Sequence, residues 1–210
     1  MRCLSATLHP LIGLMTTMLY EFDAPFVYWT QVDNHEKIKA QLMPFINKLS
    51  ENNNSTVTVD GSTSTYYHQT YPYIKHEMLE NIIWKPLDDM MNVKGLEKPK
   101  DGYGIEGLWW NNYAPGGRTE VHKHERADWS GVYILHLEGE NTTTVCSQYG
   151  QSPNSGYMNQ IKKFTDVGEG HVMIFPGFMQ HYAAPSDGNR IVIAFDIVYN
   201  NKKIPLVLGN

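Results

Sequence analysis

Residues 109–135 read WWNNYAPGGRTEVHKHERADWSGVYIL, and within them His122 and His124 stand two positions apart in a run with the texture of a strand. Successive side chains of a strand point to opposite faces, so both imidazoles are expected on one face. Two imidazoles on one face make half of a metal site. The other half has to come from elsewhere in the chain.

Outward from this stretch, everything after about residue 103 has the same texture. Short apolar runs at 105–113, 119–124, 130–137, 142–148, 171–175 and 190–199 are separated by turn residues and show no helical periodicity. Many short strands at close spacing predict a mainly β fold, a sandwich or a barrel. The N-terminal half differs. The aromatic and β-branched run from Glu21 to Val32 predicts an extended segment. Asp33 as cap, Glu36 three residues later, and Ile38, Leu42, Phe45, Ile46 and Leu49 at helical spacing then predict a helix that Pro44 should kink or break. Met78, Leu79, Ile82, Ile83 and Leu87 predict a second helix over 76–92, interrupted near Pro86. Residues 51–75 read as loop plus one irregular strand, and 148–168 as a loop. We therefore expect a poorly packed extension over 1–17 and a single domain over 18–210, with helical support over about 33–100 and a β core over about 103–200.

Composition narrows the function. The 210 residues are 41% hydrophobic and carry a formal charge of −5, without the clustered Lys and Arg that neutralise phosphates, so no nucleic-acid partner is expected. No stretch reaches the roughly 18 to 20 apolar residues of a membrane span, so no membrane partner is expected. Cys3 and Cys146 allow at most one bridge, which points to a reducing, cytoplasmic setting. A small molecule or a peptide is the natural substrate, and the oligomeric state is left open.

The missing half of the metal site is expected in 170–190, GHVMIFPGFMQHYAAPSDGNR. An apolar strand ends there in a Pro-Gly turn, His181 follows, and Arg190 opens the strand RIVIAFDIVY. In a double-stranded β-helix, the jelly-roll or cupin-like barrel, strands far apart in sequence are neighbours, so His122, His124 and His181 can converge inside it. On the last strand Arg190, Val192 and Ala194 share one face, and Ile191, Ile193 and Phe195 the other. The first face suits a pocket and the second suits packing.

These residues resemble the core of the iron(II)- and 2-oxoglutarate-dependent oxygenases, nearest the prolyl-hydroxylase-like and the phage or bacterial branches. Tyr113 and Gly116 ahead of His122, the Phe175–Pro176 turn, His181 and Arg190 carry the resemblance, which covers somewhat less than half of the chain. It implies a double-stranded β-helix core with supporting N-terminal α-helices, and His122 and His181 as metal ligands, to which we add His124 as the expected third. It also implies Arg190 and Tyr113 as 2-oxoglutarate contacts, and iron(II) and 2-oxoglutarate as cofactor and co-substrate, with ascorbate as a candidate reductant. The implied reaction is hydroxylation of an unidentified substrate with release of succinate and carbon dioxide, with no side chain acting as general base.

Two positions depart from the family pattern. His124 stands where the family usually carries Asp or Glu, and Val192 where many relatives carry Ser. Either His124 is the third ligand, or a carboxylate from Glu120, Glu125 or Asp128, Glu120 first among them, completes a two-histidine, one-carboxylate set. Two other functions fit parts of the pattern. One is a cupin-type metal-dependent dioxygenase or isomerase that does not use 2-oxoglutarate and gives Arg190 no task. The other is a non-catalytic β-sandwich binding module. Trp109, Trp110 and Trp129 are expected to pack in the core rather than stack on substrate, and His136 and His171 to be structural.

Overall fold

A computed structural model describes residues 18–21, 26–51, 56–58, 62–65, 74–139, 144–152 and 156–199. The expected extension at 1–17, with Cys3, lies outside them. From the N-terminus the described chain forms β1 (Met18–Glu21), β2 (Phe26–Gln31), helix α1 (His35–Glu51), β3 (Thr56–Thr58) and β4 (Ser62–Ser64). Helices α2 (His76–Leu79) and α3 (Lys85–Lys94) follow, joined by a π-helical turn at Glu80–Trp84. The remainder is strand: β5 (Tyr103–Tyr113), β6 (Thr119–His122), β7 (Trp129–Leu137), β8 (Thr144–Ser152), β9 (Gly156–Lys163), β10 (His171–Pro176), β11 (Gln180–Ala183) and β12 (Arg190–Tyr199).

The strands make a large sheet ordered β1-β2-β10-β7-β12-β5-β4-β3 and a small one ordered β6-β11-β8-β9. From β5 onward the chain crosses between the sheets at every connection but the β8–β9 hairpin, which generates the expected double-stranded β-helix. Alternation on β12 sorts its side chains as the sequence predicts. Ile191, Ile193, Phe195 and Ile197 pack outward with Ile38, Leu42, Ile82 and Leu87 of the helices, while Val192 joins Val132, Ile134 and Phe175 between the sheets. Each such fully buried aliphatic or aromatic side chain contributes about 1.5–3 kcal/mol.

Gly131 shows how tightly the outer face is packed. It pairs with Phe195 across β7 and β12, and a Cβ built on it would lie 2.1 Å from Phe195 Cζ. Phe195 has no exposed surface to swing into. Gly131→Ala is therefore expected to destabilise the fold by about 2–3 kcal/mol in chemical denaturation, through overpacking.

The helices differ from expectation in three respects. Pro44 lies inside α1 without ending it. The bond it forfeits is to the carbonyl of Ala40, and both residues sit on the solvent side of the helix, where an unpaired carbonyl costs little. Phe45, placed on the apolar stripe by its spacing, is 45% exposed, whereas Ile38, Leu42 and Ile46 are buried. The interruption expected near Pro86 is the π-helical turn that ends at Trp84, and the buried stripe continues through it from Met78 to Met91. The span 148–168, read as a loop, instead contains β9, paired with β8 from Val145↔Lys163 to Ser152↔Gly156. Among the described residues no helix is long and apolar enough to cross a membrane.

A polar clasp ties α1 to the large sheet. The Glu169 carboxylate accepts from Lys39 Nζ, from the backbone N–H of Leu137 and from His35 Nε2, and His136 Nδ1 lies 3.2 Å from it. His136 therefore has carboxylate neighbours in this clasp. Burial pushes the Glu169 carboxyl up, but the hydrogen bonds outweigh it and hold it at about 2, below the usual 4.5. A depressed carboxyl stabilises the fold above its unfolded pKa, and that stability is lost as pH falls from about 4.5 towards 2. Acid titration of the melting temperature should show this loss in the wild type and not in Glu169→Gln. After discounting for partial exposure the difference is about 1–2 kcal/mol.

Candidate metal centre and co-substrate pocket

The β-helix brings the three predicted histidines together. β6 and β11 are antiparallel neighbours, and His122 and His181 are direct partners across them, which is why rings so far apart in sequence converge. Their centroids are 4.3 Å apart, and each lies 5.1 Å from that of His124. One ring nitrogen from each of the three falls within 4.8 Å of the other two.

His124 reaches the cluster differently from the expectation. β6 ends at His122, and His124 lies in the following turn rather than on the strand. Its backbone N–H donates to Gly177 O, and Gly177 N–H donates to Asp128 O. A Cβ at position 177 would meet Ala127 O at 2.2 Å, so the Pro-Gly turn after β10 lets two backbones meet and seats His124. Trp109 stacks on the His124 ring at 5.6 Å and 14°, and is itself 6% exposed. It is a packed wall of the site, in keeping with the core role expected for it.

The outer nitrogens decide which atoms face inward. His122 Nδ1 donates to Glu120 O at 2.7 Å, His181 Nδ1 donates to Met179 O at 3.0 Å, and His124 Nδ1 meets the Asp196 carboxylate at 2.7 and 2.8 Å. Carbonyls and carboxylates only accept, so each Nδ1 carries a proton and each neutral ring is left with a lone pair on Nε2. Burial pushes the pKa of His181 down to about 3 and also lowers that of His122, which keeps both rings unprotonated at neutral pH. Three convergent imidazoles, each with Nδ1 committed outward and Nε2 left to face the others, suit a divalent transition-metal ion.

The carboxylates named as rivals to His124 stand elsewhere. Glu120 is exposed and pairs with Arg118 at 3.3 Å; it serves the site through its backbone carbonyl. Glu125 is exposed beside Lys123 at 2.7 Å, and Asp128 accepts from the backbone N–H of Tyr199. Sequence reasoning missed Asp196 and Ser130, whose hydroxyl donates to Asp196 Oδ1 at 2.7 Å. A signal was available, because Asp196 continues the alternation of Arg190, Val192 and Ala194.

A cavity of about 930 Å3 runs from the three histidines to Arg190 and Tyr113. Arg190 is 1% exposed, donates from Nη2 to Ala184 O at 3.0 Å, and holds its guanidinium 4.5 Å from the centre of the Tyr113 ring. Burial lowers its pKa, but an arginine remains a cation at neutral pH. The Tyr113 hydroxyl is 2.7 Å from Thr119 Oγ1, and burial raises its pKa. Val192 and Ala194 line the cavity between Arg190 and Asp196, so small apolar side chains separate the cationic end from the imidazole end.

Residues 107–196 match a family model described as "Putative 2OG-Fe(II) oxygenase", which bears out the resemblance read from Tyr113, Gly116, His122, His181 and Arg190. Iron(II) and 2-oxoglutarate are the cofactors of that family. None of the curated proteins compared matches the chain. Among solved structures, the α-ketoglutarate-dependent carbocyclase SnoK of nogalamycin biosynthesis is similar at 10% identity and a TM-score of 0.56, over 80% of this chain and 78% of that one. The epimerase SnoN, in complex with Fe3+, α-ketoglutarate and nogalamycin RO, is similar at 11% identity and 0.54, over 86% and 82%. A Trichoplax adhaerens prolyl hydroxylase bound to a hypoxia-inducible-factor peptide is similar at 12% and 0.55, over 82% and 83%. At these identities the likeness establishes the fold. The three proteins are a carbocyclase, an epimerase and a hydroxylase, so the shared barrel does not choose among reactions.

Proposed function

We propose that this chain is an oxygenase that couples oxidative decarboxylation of 2-oxoglutarate to hydroxylation of a small molecule or a peptide. The observation that carries the reading is the convergence of three imidazoles, each with its outer nitrogen committed, in one cavity with a buried arginine. His122, His124 and His181 would hold iron(II), which when bound supplies oxygen activation. Arg190 binds the distal carboxylate of 2-oxoglutarate through its fork of N–H donors, and the Tyr113 ring keeps that fork in place. Val192 and Ala194 leave room for the carbon chain between the two ends. Trp109, Phe175 and Val132 give the imidazole end an apolar wall.

Anaerobic addition of iron(II) and then 2-oxoglutarate should produce the weak visible charge-transfer absorption of the chelated co-substrate, and admission of air should release succinate. Absence of both from protein that binds iron(II) would sink the assignment. A second reading, a cupin-type dioxygenase or isomerase, is favoured by one observation, the absence of a carboxylate from the histidine cluster among the described residues. It predicts iron binding unaffected by 2-oxoglutarate. Protein that holds no divalent metal would point instead to a non-catalytic module.

A further inference from the structure

We propose that Asp196 is a positioning residue of the metal centre, fixing the His124 ring and returning the negative charge that a carboxylate ligand would have supplied. The inference rests on the reading that the three histidines hold a divalent ion. The three outer nitrogens are not alike. His122 and His181 donate to neutral backbone carbonyls, whereas His124 donates to a carboxylate, in contact with both its oxygens. Asp196 is 8% exposed and held in turn by the Ser130 hydroxyl, while Trp109 closes one face of the His124 ring. A buried carboxylate is costly to keep unless its charge is used, and here it backs the one imidazole that departs from the family pattern. A carboxylate behind a ligand imidazole raises its basicity and fixes its tautomer. A divalent ion on three neutral rings keeps its full double charge. With Asp196 behind His124 the assembly carries one charge less, as it would with a directly bound carboxylate.

The test is cobalt(II) titration of the full chain as wild type and Asp196→Asn, each also in a His124→Asp background. In the wild-type background Asp196→Asn is expected to weaken cobalt(II) binding about 10- to 100-fold. With His124→Asp the ligand brings its own charge, and Asp196→Asn should then cost less than about 3-fold. Equal losses in both backgrounds, or no loss in the first, would overturn the proposal. Proton NMR of the cobalt(II) protein gives an independent readout. Three exchangeable, paramagnetically shifted Nδ1–H signals are expected, of which Asp196→Asn displaces the one that His124→Asp removes. Displacement of all three alike would indicate general loosening and overturn the proposal. Should His124→Asp hold no metal, that signal is identified with a His124→Gln chain, and the pattern decides alone. A wild type that binds no cobalt(II) would defeat the metal-site reading itself, a different result from any of these.

Discussion

His181→Ala is expected to abolish stoichiometric iron(II) or cobalt(II) binding, raising the dissociation constant by more than about 100-fold, beyond the usual cost of losing an outer-shell partner. Three observations single out this ring. It is 5% exposed, it is the direct cross-strand partner of His122, and it packs on Phe175 at a centroid distance of 4.6 Å. Burial holds it neutral far below physiological pH, so its lone pair meets no proton competition there. Removing the ring also leaves a void, costing about 1–3 kcal/mol of stability, so His181→Gln, which fills more of the space, serves as companion. Circular dichroism should show both variants folded and metal analysis should show both empty. Retention of one equivalent of metal by either variant would place the centre elsewhere.

Arg190→Ala should leave metal affinity within a few-fold of the wild type while weakening 2-oxoglutarate binding about 100-fold or more. A buried, forked, charge-assisted pair is worth roughly 3 kcal/mol. Arg190 is paired with Tyr113 on β5 and Leu137 on β7 in the middle of the large sheet, so its backbone is fixed on both sides. The Ala184 carbonyl accepts from its Nη2 and the Tyr113 ring lies against its guanidinium, so the head is oriented within the cavity. Titration of the charge-transfer absorption with 2-oxoglutarate measures the effect. Arg190→Lys keeps the charge but not the fork and should fall between the two. Undiminished 2-oxoglutarate binding in Arg190→Ala would remove its task and favour the cupin-type reading.

The core of the site was legible because alternation is a local property. Arg190 and Val192 against Ile191 and Ile193 could be separated on β12 from parity alone, and the structure keeps that division. His122, His181 and Arg190 were legible through type and order. What stayed hidden depends on distant partners. Asp196 meets His124 from the far end of β12, and no local pattern names that pairing. β9 has few apolar residues and is a strand because β8 offers it a ladder. The exposure of Phe45 follows from which stripe of α1 the sheet covers, a choice made by packing. Glu120 was ranked ahead of the other carboxylates on parity, but its side chain turns to Arg118 in solvent.

The pairing of β6 with β11 has a consequence for how the barrel holds itself closed. His122 and His181 lie on neighbouring strands but about 60 residues apart along the chain, a separation at which loop closure carries a sizeable entropic cost. An ion shared by those two side chains is a crosslink across that loop, acting as a reversible counterpart of a disulfide in a chain whose one described cysteine, Cys146, is buried with a free thiol. A bound ion would therefore add its binding energy to the stability of the β6–β11 pairing, while the large sheet is held by its own packing on the helices.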